Sequence, residues 1–156
     1  NLAEYADKPF IHAVGGGWLC KTTDISSHNF AAITDAVRKA VDILLGFEVV
    51  HTGINLESPE ESLNVCHQFA QAFNFPIKEG NNSNFAGPGI EVLKSRYLGT
   101  MGHLAIRTNN INRAIHYLAK RGFEVDMETA KYKGSQMIAV YLKDEFGGFA
   151  VHLLQK

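Results

Sequence analysis

The chain has 156 residues, 46% of them hydrophobic and 20% charged, with a formal net charge of −1. That balance gives no electrostatic case for nucleic acid or an anionic membrane, and no apolar stretch approaches the roughly 20 residues needed to span a bilayer. Cys20 and Cys66 are too few for a disulfide framework and no basic-then-apolar leader is present, so a cytoplasmic, reduced protein is expected.

The opening stretch, NLAEYADKP, predicts a short helix with Leu2 and Tyr5 on one face, ended by Pro9. FIHAV predicts a short apolar strand. Gly15, Gly16 and Gly17 then let the backbone turn and come close to a ligand. Beyond KTTDISSHN, the residues Phe30, Ile33, Val37, Ala40, Val41 and Leu44 recur at helical spacing, and Gly46 is placed as a C′ stop. Helix, strand, glycine loop and helix in that order are a slice of a parallel α/β fold. The triplet lacks the Gly-Lys-Ser/Thr of a P-loop and is not GxGxxG, so on its own it reads as a plain turn before it reads as a phosphate loop.

The longer stretch VGGGWLCKTTDISSHNFAAITDAVRKAV resembles the last strand and closing helix of the 2-keto-3-deoxy-6-phosphogluconate aldolases, (β/α)8 barrels that often also cleave 4-hydroxy-2-oxoglutarate. The resemblance covers residues 1–46. It implies that the amides of Gly15, Gly16 and Gly17 belong to a phosphate site of the kind found at the end of such barrels. Ser usually stands in that family where this chain has Gly17, which removes one hydroxyl donor. The resemblance also implies a parent lyase that releases pyruvate through a lysine imine. The imine lysine and its carboxylate partner lie on earlier strands of the family's barrel, and Lys8, Lys21 and Lys39 match nothing catalytic there. Residues 1–46 are therefore expected to be the C-terminal remnant of such a barrel. This fragment is not expected to perform the cleavage.

From Phe47 the pattern changes to a repeat. HTGINLESPEESLNVCHQFAQAFNFPIKE, from His51, resembles HLAIRTNNINRAIHYLAKRGFEVDME, from His103. Each copy opens with a strand, passes a polar turn and enters an amphipathic helix. Leu63, Phe69, Ala70 and Phe73 are expected to face inward in the first helix, and Ile111, Ala114, Ile115 and Leu118 in the second. Ser58 before Pro59 is a suitable N-cap, and Glu61 completes a capping box. Three strands follow each helix: FPIKEG, SNFAG and GIEVLKS in the first copy, then FEVDMETAKY, MIAVYLKDEF and GFAVHLLQK in the second.

Two βαβββ units in tandem resemble the vicinal oxygen chelate superfamily of glyoxalase I, the extradiol dioxygenases and the bleomycin-resistance proteins. The likeness covers residues 47–156, with repeat units at about 47–98 and 99–156. The expected architecture is thus α+β: a tandem glyoxalase-like domain preceded by a helix-strand-helix remnant of an aldolase barrel. Alternation along each strand puts His51, Glu91, His103 and His152 on the face opposite the helices. Those four positions are where the superfamily carries its metal ligands. The resemblance therefore implies a divalent ion (Zn, Ni, Fe or Mn) at His51, Glu91, His103 and His152, with positions left open for substrate. No organic cofactor is expected.

Glyoxalase I has a Glu where this chain has His152, which separates metal binding from the isomerase chemistry. Arg107 shares the concave face and either holds a substrate carboxylate or phosphate or makes a structural ion pair. His12, His28, His67 and His116 match no motif. Two readings of the second domain stay open: a metal-dependent enzyme on a small oxo- or hydroxy-acid, or a binding and assembly module without chemistry. Expected partners are a small oxo acid or phosphorylated sugar acid and a second copy of the chain, with neither nucleic acid nor membrane.

Overall fold

A computed structural model describes residues 1–6, 8 and 10–156. The first segment holds α1 (Leu2–Ala6), a 3-10 turn (Gly17–Leu19), α2 (Thr22–Ser26) and α3 (Phe30–Leu45). Pro9, expected to end α1, lies outside the described residues. The expected strand FIHAV does not form: residues 11–16 have no regular structure and run into the 3-10 turn. A strand needs a neighbour for its N–H and C=O groups, and none is offered here. Nor is KTTDISSHN a plain connection, because it contains α2. Helix α3 ends as expected, with Gly46 in the left-handed region at φ 56° and its N–H donating to the Asp42 carbonyl.

Residues 47–156 form one mixed sheet of eight strands. The first unit is β1 (Glu48–Ile54), α4 (Pro59–Phe73), β2 (Ile77–Glu79), β3 (Ser83–Ala86) and β4 (Ile90–Leu93). The second is β5 (Gly102–Thr108), α5 (Ile111–Ala119), β6 (Val125–Lys133), β7 (Gln136–Phe146) and β8 (Phe149–Gln155). The strand order is β2-β3-β4-β1-β5-β8-β7-β6. Each opening strand pairs in parallel with the last strand of its own unit, and the two opening strands pair antiparallel at the centre. The βαβββ repeat is therefore present twice, joined edge to edge across β1 and β5.

The helices cover one face of this sheet. Under α5 the core is Ile111, Ala114, Val140 and Leu153, with Met137 and Leu45; under α4 it is Cys66, Ala86 and Val92. Inward-facing Ile111, Ala114, Ile115 and Leu118 agree with the periodicity of α5. Helix α4 packs Phe69 inward as expected, but the rest of its face is turned further than expected. Its buried residues are Ser62 and Cys66, while Phe73 is 63% exposed. The reason is polar: the Ser62 hydroxyl donates to the Val92 carbonyl at 2.8 Å and accepts from Asn84 Nδ2 at 3.0 Å, which pins that stripe to the sheet. At its N-terminus Ser58 Oγ accepts from the Glu61 N–H. The Glu61 carboxylate reaches back one residue beyond the usual box partner, to the Glu57 N–H.

Candidate metal centre

Sheet register brings the four expected ligands to the uncovered face, where the three imidazoles cluster and Glu91 meets His51 and His103. One row across the sheet runs Tyr141, His152, Ala105, His51; the next runs Ala150, His103, Gly53, Glu91, Phe85. Residues directly opposite in a sheet point to the same side, so both rows present their side chains together. The two units contribute equivalent positions: His51 and His103 from the opening strands, Glu91 and His152 from the closing ones. Between the histidines stand Ala105 and Gly53, which leave space for the rings. A side chain on Gly53 would overlap the His103 imidazole.

Glu91 Oε2 lies 3.0 Å from His51 Nε2 and 3.1 Å from His103 Nε2, and the two nitrogens are 3.2 Å apart. Around an ion with bonds of about 2.1 Å, neighbouring ligands are about 3.0 Å apart in an octahedron and about 3.4 Å apart in a tetrahedron. These three atoms are at hydrogen-bond distances from one another, close enough to share one ion. One ring nitrogen from each of His51, His103 and His152 also lies within 4.8 Å of the others. His152 Nε2 is buried and has no hydrogen-bond partner, an orphaned donor set that a metal would satisfy. The residues present therefore fit a divalent ion.

The surroundings set the protonation. Burial alone would push the Glu91 carboxyl up, but hydrogen bonds from His103, His51 and Ser83 outweigh it and hold it well below the usual carboxylate range. His152 is pushed down to about 3, first by burial and then by the neighbouring imidazoles of His103 and His51. Near neutrality the cluster thus holds a carboxylate at Glu91 and a neutral imidazole at His152, the form each needs to ligate a metal. Aromatic rings wall the site. Tyr141 stacks on His152 with centroids 4.7 Å apart, Phe85 meets the His51 ring edge-on, and half-exposed Tyr97 meets Tyr141 edge-on. Burial raises the Tyr141 phenol above its ordinary range, so it stays protonated. The Tyr97 segment is held from the first unit by Asn55, whose Nδ2 donates to the Tyr97 and Gly99 carbonyls at 3.2 and 2.8 Å.

The remaining expected site residues lie elsewhere. Arg107 makes an ion pair with Glu48 at 2.8 Å, the second of its two expected roles, and none of the four cluster residues is its partner. Gly15, with Tyr5, Ile11, Val14 and Trp18, lines an open groove of about 640 Å³ that has no Lys or Arg in its lining. Gly16 sits against the Trp18 ring instead. Sequence reasoning missed Gly53, Ser83, Phe85 and Tyr141. One signal was available: a small residue follows each opening His by two positions, in HTG and HLA, on the same face.

No family model matches the chain, and no curated protein does. Among solved structures the chain resembles the crystal structure of a hypothetical protein from Bacillus halodurans C-125, with 16% identity and a TM-score of 0.50 over 70% of this chain and 94% of that one. The likeness is one of fold: a mixed α+β arrangement built on the eight-stranded sheet.

Proposed function

We propose that residues 47–156 form a metal-dependent centre of the vicinal oxygen chelate type, acting on a small oxo- or hydroxy-acid. The observation that carries this reading is the convergence of His51, His103 and His152 from equivalent strands of the two units, with the Glu91 carboxylate against His51 and His103. When bound, a divalent ion would supply Lewis acidity to a substrate oxygen. The chain's own residues orient the ligands, wall the site with Tyr141 and Phe85, and keep His152 neutral. Elemental analysis of chelator-free protein after exposure to Fe, Mn, Ni and Zn tests the reading. One ion per chain is expected; sub-stoichiometric metal in every case would leave the non-catalytic binding module as the better account.

Residues 1–46 keep the aldolase reading on the strength of the sequence resemblance, with the closing helix present as α3. On that reading the parent is a pyruvate-releasing lyase and this segment supplies none of its imine chemistry. A second copy of the chain remains the expected partner. Its support is the exposed apolar side chains of the first segment, where Phe10 and Phe30 are 73% and 57% exposed.

A further inference from the structure

We infer that Ser83 is a positioning residue for the metal centre: its hydroxyl occupies one oxygen of Glu91, so that the carboxylate offers the ion the other oxygen alone. The inference rests on the metal-centre reading above and adds a residue that the ligand positions do not include.

The two oxygens of Glu91 have separate tasks. Oε2 faces His51 and His103. Oε1 accepts from Ser83 Oγ at 2.6 Å, the short end of the range for a hydroxyl on a carboxylate. Ser83 is 9% exposed and fixed in β3, opposite Leu93, with its carbonyl accepting from the Gly80 N–H. Its hydroxyl is thus held by the sheet rather than by a mobile loop. A glutamate's terminal torsion is broad and roughly two-fold. Without a partner on Oε1 the group would rotate and chelate an ion through both oxygens. With Ser83 in place, rotation breaks a charge-assisted hydrogen bond. An ion held there would then meet Oε2 alone, which would leave it freer to take a substrate oxygen.

The other unit provides an internal comparison. Ser83 stands opposite Leu93 as Ala139 stands opposite Leu154, so Ala139 is its counterpart. The ligand served there is His152, which has no second oxygen to restrain and is oriented by the Tyr141 stack instead. The hydroxyl occurs in the unit that carries the carboxylate and is missing from the unit that carries the imidazole. A serine present merely to fill space would have no reason to follow the ligand type.

The test uses the full chain, with Co(II) as probe. Wild type, Ser83→Ala, Ser83→Thr, Glu91→Ala and the Ser83→Ala/Glu91→Ala pair are titrated against a competing chelator while the visible Co(II) bands are recorded. Ser83→Ala is expected to weaken Co(II) by about 10–100-fold, the usual effect of removing a group that orients a ligand, and to shift the bands. Ser83→Thr keeps the hydroxyl and restores both. In the Glu91→Ala background the same serine change has no further effect, because the two residues act as one unit. Unchanged affinity and bands in Ser83→Ala would overturn the inference. So would an equal loss in the Glu91→Ala background, which marks a general structural defect. Failure of the wild type to bind Co(II) would overturn the metal reading itself and is seen directly in the first titration.

Discussion

Gly53 lies opposite His103 across the β1–β5 pairing, and the imidazole rests where a Gly53 side chain would be. The backbone there is ordinary strand, so the glycine is required by the ring above it and not by an unusual torsion. Gly53→Ala should push His103 away from Glu91 and His51. Metal affinity is expected to fall at least tenfold, with the far-ultraviolet spectrum retained. Ala105→Gly, at the equivalent position in the second unit, should leave affinity within about threefold. Isothermal titration with Ni or Co would decide; equal affinity in wild type and Gly53→Ala would show that the ring position does not matter to binding.

The ligand set makes an ordered prediction. His51→Ala and His103→Ala remove atoms at 3.0–3.2 Å from the other donors and should reduce bound metal to a small fraction of one ion per chain. His67→Ala, an exposed position on α4, should change nothing. Elemental analysis of the three variants provides the comparison. Retention of full metal by His51→Ala would remove that residue from the set.

Much of this was legible because sheets alternate. Parity alone placed His51, Glu91, His103 and His152 on one face, and the repeat put them at matching positions. The partners across strands were not legible, since register depends on which strands become neighbours. Tyr141 beside His152 and Ser83 beside Glu91 come from pairings that no single segment encodes. Phe73 on α4 was misjudged because of its hydrophobicity, whereas Ser62 is fixed by a hydroxyl bond to Val92 and Cys66 is buried beside it on the same stripe. FIHAV has strand composition but no partner strand, and composition without pairing does not make a strand.

Acidification should destabilise the metal-free protein. His152 titrates normally at 6.5 in an unfolded chain but at about 3 in the fold. Between those values the unfolded state holds a proton that the folded state refuses, so stability rises with pH and is lost as pH falls from 6.5 toward 3. One proton corresponds to at most about 1.4 kcal/mol per pH unit. Glu91, held below its ordinary 4.5, adds a loss in the same direction at lower pH. Denaturant unfolding of metal-free wild type and His152→Gln at pH 7, 6 and 5 tests the window. A flatter dependence is expected for the variant, and identical slopes would mean that His152 is not the responsible group.

Pyruvate and borohydride should leave the chain unmodified. No lysine among Lys8, Lys21 and Lys39 matches the imine position of the resembled aldolases, and the groove at Gly15 has no lysine in its lining. Mass spectrometry after trapping should show the unaltered mass. A stoichiometric adduct would refute the assignment of the first segment.

The boundary at residue 46 can be tested by removal, and the structure changes the expected result. From the repeat alone, residues 47–156 are self-sufficient. In the fold, however, the last turn of α3 belongs to the core of the second unit. Leu45 is 4% exposed and packs with Ile111, Val140 and Leu153. Its carbonyl accepts from both the Thr108 hydroxyl, at 2.6 Å, and the Asn109 N–H, at 2.9 Å. Asn109 Nδ2 also caps α3 through the Ile43 carbonyl, and Arg113 on α5 donates to the carbonyls of Ala6 and Ile11. Cutting after residue 46 would therefore expose an apolar site and leave the buried Thr108 hydroxyl unpaired, each a recognised source of large losses. Leu45→Ala in the full chain should cost about 2–5 kcal/mol. Deleting residues 1–46 should cost at least as much, whereas deleting residues 1–28 should cost less because it leaves α3 whole. Chemical denaturation of the four proteins sets the order: full chain, then the 29–156 chain, then Leu45→Ala and the 47–156 chain. A 47–156 chain as stable as the whole would show that α3 rests on the sheet without contributing to it.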